Sequence, residues 1–137
     1  MKKTAVLAIG IFLLVSCAKE DSGVPDVYVN YRFLDVEYES KRDENGLFMV
    51  SGQGVAGLMI YRISSGNYVA FDRCSTVNPG QKCAVKAEEG SAFTVIDPCS
   101  GAKFSVIDGA PAKAPAKKAL KKYNVSPAVG GGYTVIN

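Results

Sequence analysis

The sequence of 137 residues contains no histidine and no tryptophan. Without histidine the chain cannot form a Ser-His or Cys-His catalytic pair or a two-histidine metal site, and it has no imidazole to carry protons at neutral pH. Excess charge is also small: apart from Lys2 and Lys3 at the N-terminus, 14 basic residues stand against 13 acidic ones. A nearly neutral chain has no basic footprint for nucleic acid, so we expect no nucleic-acid partner.

The N-terminus combines a basic start with a short apolar run. Ala5–Val15 is apolar over 11 residues, which has the length of a signal-peptide core, whereas a membrane-spanning helix needs about 20 residues. The last two residues of this run and the two that follow it, Leu14-Val15-Ser16-Cys17, resemble a bacterial lipobox. The resemblance implies a signal peptide at 1–16 and a lipid-modified Cys17 as the mature N-terminus. An ordinary secretory signal is the alternative.

Lipidation of Cys17 would determine where the protein is located. Two or more acyl chains hold a protein stably on a membrane that it does not span. Ala18 is not the aspartate of an inner-membrane retention signal, so we expect an outer-membrane lipoprotein on the periplasmic or surface-exposed face. Residues 17–24 are polar enough to predict a tether, and residues 25–137 a single domain.

The remaining chain has the pattern of short β-strands. Val27–Phe33 alternates apolar and polar residues, as a strand with one buried face does. Val55–Ile63 is apolar on both faces and predicts a central strand, and further strands are expected at 47–50, 68–72, 90–97, 103–107 and 133–136. No stretch has a convincing helical period. The pattern therefore predicts an all-β sandwich or barrel.

Three segments resemble the cluster-binding part of Rieske 2Fe–2S proteins. They are Val69–Cys74 (VAFDRC), Asp97–Phe104 (DPCSGAKF) and Asp108–Tyr123, with its DGAP, PA, Leu and Tyr. In order and spacing the chain is similar to Rieske-like lipoproteins of Gram-negative bacteria. The resemblance implies an antiparallel β-sandwich or barrel base from about 24–72 and 108–137, with a small inserted cluster-lobe-like subdomain at about 73–107.

The chain departs from this family at the cluster ligands. Two cysteines and two histidines hold a Rieske cluster. By the resemblance, Cys74 stands at the first cysteine and Thr76 at the first histidine. Asp97 replaces the second cysteine, and Ser100 replaces the second histidine. Three of the four ligands are therefore absent, and we expect no cofactor and no 2Fe–2S cluster.

The resemblance also implies a disulfide between Cys83 and Cys99, because cytochrome bc-type Rieske proteins join their two cluster loops in this way. Cys74 would then be a free thiol, although a Cys74–Cys99 pair is the alternative. Zinc bound by Cys74, Cys83, Cys99 and Asp97 would use permitted ligand types, but the spacings are wide and contain no Cys-x-x-Cys. An exported compartment favours the disulfide, so we expect no metal.

These features predict a protein that is not an enzyme. We expect a structural or binding module at the cell envelope, held to the membrane by its lipid anchor and contacting a protein or glycan partner. The alternative is a redox protein, either a thiol–disulfide module or an atypical 2Fe–2S electron carrier. The lysines of residues 113–122 can contact anionic lipid head groups or an acidic partner, but a solvated edge that resists strand aggregation is the interpretation we favour.

Overall fold

The computed structural model describes residues 21–137, so the leader and Cys17 lie outside the described range. The described residues are mainly short strands. No helix in residues 21–137 is long and apolar enough to span a membrane. The elements are β1 (Asn30–Phe33), α1 (Asp35–Lys41), β2 (Leu47–Val50), β3 (Leu58–Ser64), β4 (Asn67–Asp72), a 3-10 turn (Pro79–Gln81), β5 (Lys86–Ala87), β6 (Thr94–Ile96), β7 (Lys103–Ser105), β8 (Pro111–Lys113), β9 (Lys122–Pro127) and β10 (Tyr133–Ile136).

The strands form two antiparallel sheets. Six of them form a curled sheet in the order β1-β10-β9-β4-β3-β2, and four form a smaller sheet in the order β5-β6-β7-β8. The chain leaves the large sheet at the end of β4 and returns to it through β9, which pairs with β4 at Ala70 and Phe71. The small sheet is therefore inserted in the chain between two neighbouring strands of the large one. The all-β architecture agrees with the predicted fold class.

Both faces of the large sheet are covered. Successive side chains of a strand point to opposite faces, and along β4 Tyr68 and Ala70 belong to one buried cluster whereas Val69 and Phe71 belong to the other. The first cluster fills the curl of the large sheet. The second lies between the sheets, where Phe71 packs with residues of the small sheet such as Val95, Phe104 and Val106. The chain thus has two cores that share β2, β3 and β4.

The strand bounds differ from the sequence pattern at several places. β6 and β7 cover only Thr94–Ile96 and Lys103–Ser105 of the predicted 90–97 and 103–107. The central strand begins at Leu58 and not at Val55, because residues 51–57 form a turn in which Gly54 and Gly57 have positive φ (68° and 98°). The first strand covers only residues 30–33 of the predicted 27–33. The side chain of Asn137 replaces a partner strand there, since it accepts from Val29 N (3.2 Å) and donates to the carbonyl of Val27 (2.7 Å).

Helix α1, like strands β5, β8 and β9, is not predicted by the sequence pattern. It has seven residues, too few for a clear helical period, and Leu34 before it makes no side-chain cap. Tyr38 alone among its residues is buried. Its hydroxyl donates to the carbonyl of Gly46 (2.7 Å) and accepts from Arg62 N (3.2 Å). This tertiary anchoring, together with a Glu37–Lys41 ion pair one turn apart (2.8 Å), stabilises the helix.

The observed positions of the small sheet and of the N-terminal segment can be compared with the predicted inserted lobe and tether. The small sheet is made of strands between Lys86 and Lys113, whereas the inserted lobe was expected at about 73–107. Ser22 and Val24, assigned to the tether by their sequence, are buried against the domain.

Candidate functional site

Asp72 ends β4 as a fully buried carboxylate. Its Oδ2 accepts hydrogen bonds from Val55 N (2.6 Å) and the Tyr123 hydroxyl (2.8 Å), and its Oδ1 accepts from Ala56 N (3.1 Å) and Cys74 N (2.8 Å). Four donors offset the cost of burying the carboxylate. They also tie the preceding turn and β9 to the start of the loop that carries Cys74.

The loop from Arg73 to Val85 is closed by backbone pairing. Val85 N donates to the carbonyl of Arg73 (2.7 Å), and Ser75 N donates to the carbonyl of Cys83 (2.8 Å). Between these bonds Cys74 and Ala84 form an antiparallel bridge. The loop therefore holds the first of the four expected ligand positions at a defined place in the protein interior.

Cys74 is fully buried and is not disulfide-bonded. Its Sγ lies within hydrogen-bond distance of the carbonyl oxygens of Pro79 (3.5 Å) and Ser75 (3.8 Å). Burial, followed by the nearby Asp72 carboxylate, raises the pKa of the Cys74 thiol to about 11. A thiol with a raised pKa is a poor nucleophile at neutral pH, because the attacking species is the thiolate.

Asp97, at the position of the second cysteine, is 1% exposed and hydrogen-bonded on both oxygens. Its Oδ2 accepts from the hydroxyls of Ser75 and Ser100, each at 2.6 Å, and its Oδ1 accepts from Cys99 N at 2.8 Å. Burial raises the pKa of the Asp97 carboxyl, but these hydrogen bonds outweigh it and hold the pKa below its ordinary value. The carboxylate thus joins the two loops that the resemblance assigns to the cluster.

Thr76, at the position of the first histidine, contacts a third segment. Its hydroxyl donates to the carbonyl of Lys118 at 2.7 Å, and the residue is buried. The hydroxyls at both histidine positions are therefore engaged with protein oxygen atoms: Thr76 with the backbone and Ser100 with Asp97. In place of metal donors, the site contains a hydrogen-bond network that joins the loops.

The structure contains the Cys83–Cys99 disulfide that the resemblance implies, with a Cα–Cα distance of 6.4 Å, and the alternative Cys74–Cys99 pair is not formed. Cys83 is half-buried and Cys99 is exposed. Within the described residues, Cys83, Asp97 and Cys99 bring their ligand-type atoms to within 4.8 Å of one another. Cys74, the fourth member of the expected zinc alternative, is not part of this group.

The residues at this site do not fit a 2Fe–2S cluster. A Rieske cluster needs two thiolates and two imidazoles, whereas the four positions supply a buried thiol, two alcohols and a carboxylate. The carboxylate already accepts from Ser75 and Ser100, and the Thr76 hydroxyl already donates to the Lys118 carbonyl. They do not fit zinc either while Cys83 and Cys99 are joined, because a disulfide leaves no thiolate to bind the metal. No reaction step is therefore assigned to a metal at this site.

Comparison with known proteins identifies the fold. The chain is similar to a chain in the complex of reduced oxygenase and oxidized ferredoxin in carbazole 1,9a-dioxygenase, with a TM-score of 0.51, 22% identity, and coverage of 79% of this chain and 93% of that one. A second similar structure is named as an NADH-dependent nitrite reductase small subunit from Mycobacterium tuberculosis (TM-score 0.43, 17% identity, 82% and 97% covered). No family model and no curated protein matches the sequence.

The chain is therefore an all-β protein with a Rieske-like fold. A likeness at this identity concerns the backbone and does not carry the ligands of a relative over to this chain. The site of this chain contains a polar network that joins Ser75, Asp97 and Ser100, beside the Cys83–Cys99 disulfide.

Two residues of the site are not singled out by the sequence. Asp72 lies within the VAFDRC segment, but its role depends on the turn at 54–57 and on Tyr123, which come from distant parts of the chain. Ser75 has no motif that distinguishes it from other serines. The absence of histidine is the signal that could have drawn attention to both, because a site without its ligands must satisfy its buried polar atoms by other means.

Proposed function

We propose that this protein is a structural or binding module with a Rieske-like fold, anchored at the cell envelope and working without a 2Fe–2S cluster. The observation that carries the proposal is the Asp97 carboxylate, which accepts hydrogen bonds from Ser75 on the other loop and from Ser100 on its own loop. The disulfide between Cys83 and Cys99 supplies a second link between the same loops. With both links in place, the loops are rigid without a metal and can present a fixed surface to a protein or glycan partner.

A thiol–disulfide activity is less well supported by the same geometry. The attacking thiol of such a module needs a lowered pKa and access to solvent. Cys74 is fully buried, and burial raises its pKa to about 11. We therefore propose that the protein is not an enzyme, and that the exposed side of the disulfide at Cys99 serves to fix its loop.

The test is the metal content of protein made with iron supplied. The mature chain should be colourless, show no rhombic EPR signal after reduction, and contain no stoichiometric iron, acid-labile sulfide or zinc. Two irons and two sulfides per chain with a rhombic signal would overturn the proposal and favour the electron carrier. One zinc per chain would overturn the structural role of the disulfide.

The anchor requires its own test, since Cys17 lies outside the described residues. We propose that Cys17 is acylated and holds the protein at the outer membrane. Mass spectrometry of the membrane-extracted protein should find acyl chains on residue 17, and membrane fractionation should place it with the outer membrane. Cys17→Ser should release the protein from the membrane fraction. Retention of that variant in the membrane at wild-type levels would contradict the anchor.

A further inference from the structure

A basic depression lies between the N-terminal segment, the Cys74 loop and the segment before β9. It has a volume of about 490 Å³, and its walls include Ser22 and Gly23, Thr76 and Gly80, and Lys117 and Lys118. None of the described residues that line it is a carboxylate. The two lysine ammonium groups are the donors that can receive a phosphate here. The Thr76 hydroxyl already donates to the Lys118 carbonyl, and Gly23 N already donates to the Asp21 carboxylate at 2.9 Å.

A hydrogen bond joins two walls of the depression, and the third wall lies beside them. The Thr76 hydroxyl donates to the carbonyl of Lys118 (2.7 Å), which fixes the lysine segment to the Cys74 loop. A Cβ placed at Gly23 would lie 3.6 Å from the Pro79 Cγ and 3.9 Å from the Lys118 Nζ. The N-terminal segment therefore runs directly beside the Lys118 ammonium group.

The sequence favours the interpretation that the lysines of residues 113–122 protect an exposed strand edge. The sheet topology supports this for Lys113 but not for Lys117 and Lys118. Lys113 lies on β8, the edge strand of the small sheet, where a lysine protects against strand aggregation. Lys117 and Lys118 are exposed but belong to no strand, so edge protection does not account for them. The neighbouring depression, which contains Lys121 and Lys122, also contains Asp21, Asp26 and Asp108 and is mixed in charge.

The position of the depression relative to the N-terminus indicates what it faces. Ser22 and Val24 are buried, and the buried Lys121 Nζ donates to the carbonyl of Pro25 at 3.0 Å, so this segment is fixed on the domain. Cys17 precedes Asp21 by four residues, a distance of at most about 14 Å for an extended chain. An anchor at Cys17 would therefore keep Lys117 and Lys118 close to the membrane surface.

We propose that the depression at Lys117 and Lys118 binds the phosphate of an anionic lipid head group, so that the domain rests on the membrane in one orientation. This inference rests on the proposed anchor for the direction in which the face points, but the binding itself needs no acyl chain. Each lysine near an anionic surface contributes on the order of 1 kcal/mol, and the contribution falls with salt.

The experiment uses the mature chain from residue 17 with Cys17→Ser, which retains every residue of both cores and has no acyl chain. Its sedimentation is measured with vesicles of phosphatidylcholine alone, and of two parts phosphatidylcholine to one part phosphatidylglycerol. Lys117→Gln/Lys118→Gln is compared with Lys86→Gln/Lys113→Gln, which removes the same charge from exposed positions on the small sheet. Circular dichroism confirms that all forms are folded.

We expect binding to the phosphatidylglycerol vesicles alone, weakened by salt, with a partition coefficient about thirtyfold lower for Lys117→Gln/Lys118→Gln. The Lys86→Gln/Lys113→Gln control should stay within a factor of about three, as nonspecific charge loss would allow. Equal losses in both variants, or equal binding to neutral vesicles, would overturn the inference. Saturable binding of inorganic phosphate at Lys118 without vesicle binding would assign the site to free phosphate and also overturn it.

The vesicle-binding experiment and the test of the proposed anchor can succeed or fail independently. Vesicle binding by the unacylated chain would support the lysine site even if mass spectrometry found no acyl group on Cys17. An acylated Cys17 with no lysine-dependent vesicle binding would retain the anchor and remove the head-group site.

Discussion

The hydroxyl of Tyr123 donates a 2.8 Å hydrogen bond to the Asp72 carboxylate, which joins β9 to the end of β4. The two residues are 51 positions apart, and both are buried. Burial and the nearby carboxylate raise the pKa of the Tyr123 hydroxyl, so it stays protonated and can donate throughout the physiological range. This bond joins two neighbouring strands of the large sheet at the point where the chain leaves that sheet for the small one.

Removal of that hydroxyl should destabilise the fold. Tyr123→Phe retains the ring and leaves one buried carboxylate oxygen with a donor fewer, so we expect a loss of about 1.5–3 kcal/mol in the free energy of unfolding. Urea denaturation followed by circular dichroism measures it. Tyr28→Phe is the matched control, because Tyr28 is 82% exposed, and it should change stability by less than about 0.5 kcal/mol. Similar losses in the two variants would show that the Asp72 bond contributes nothing specific.

The disulfide should account for a comparable share of stability. Cys83 and Cys99 are 16 positions apart, and a crosslink over such a loop contributes about 3 kcal/mol by restricting the unfolded chain. Cys83→Ser/Cys99→Ser should lose that amount in urea denaturation. A dithiol reductant should lower the stability of the unsubstituted protein to the same level and leave the variant unchanged. A reductant effect on the variant, or none on the unsubstituted protein, would refute the assignment.

The sequence predicts the elements that are defined by local signals, but it does not predict those that depend on contacts between distant residues. Tyr133–Ile136 is predicted to the residue, because the turn at Gly130–Gly132 marks its start. Helix α1 is not predicted, since its stability comes from Tyr38 bonds to Gly46 and Arg62 and not from local periodicity. The disulfide follows from the family resemblance.

The polar network could not be read from the sequence. The Asp97 carboxylate binds Ser75 from a loop 22 residues earlier, and no local pattern encodes that encounter. The resemblance located Asp97 and Ser100 as positions where ligands are missing, but not the bonds that replace the ligands.

The buried thiol of Cys74 should make stability depend on alkaline pH. Its pKa is about 11 in the folded protein, against an ordinary value of 9.0. The folded state therefore holds a proton that the unfolded state releases between those values, so stability is complete below pH 9 and declines as pH rises to about 11. We expect a decline of about 2 kcal/mol over this interval from Cys74 alone.

Cys74→Ala should reduce this dependence, most clearly between pH 9 and 10. Above pH 10 the tyrosines with raised pKa, among them Tyr31 (about 12) and Tyr38, add a slope common to both proteins. Urea denaturation at each pH measures the effect. In a thiol assay of the Cys17→Ser chain, Cys74 should react slowly when folded and give one thiol per chain when unfolded. An unchanged pH slope in Cys74→Ala would contradict the raised pKa.

The Asp97 carboxylate should contribute to stability in the opposite pH range. Its folded pKa lies below the ordinary value of 3.8, so its contribution is complete above that value and is lost as pH falls through the folded pKa. Asp97→Asn removes the charge that Ser75 and Ser100 bind, and should cost about 1–3 kcal/mol at neutral pH. It should also flatten the loss of stability below pH 4, although other carboxyls with lowered pKa, such as Glu88 and Asp108, retain part of the slope.

Two further variants separate the Asp97 hydrogen bonds from its charge. Ser75→Ala and Ser100→Ala each remove one hydroxyl donor to Oδ2 and should raise the pKa of Asp97 in an NMR titration, because a carboxylate with fewer donors is protonated more easily. Glu89→Gln, at an exposed position in the small sheet's first loop, is the control for charge loss and should leave neutral-pH stability within about 0.5 kcal/mol. If neither serine variant moved the Asp97 titration, the network would not be what lowers its pKa, and the loops would be held by the disulfide and their backbone bonds.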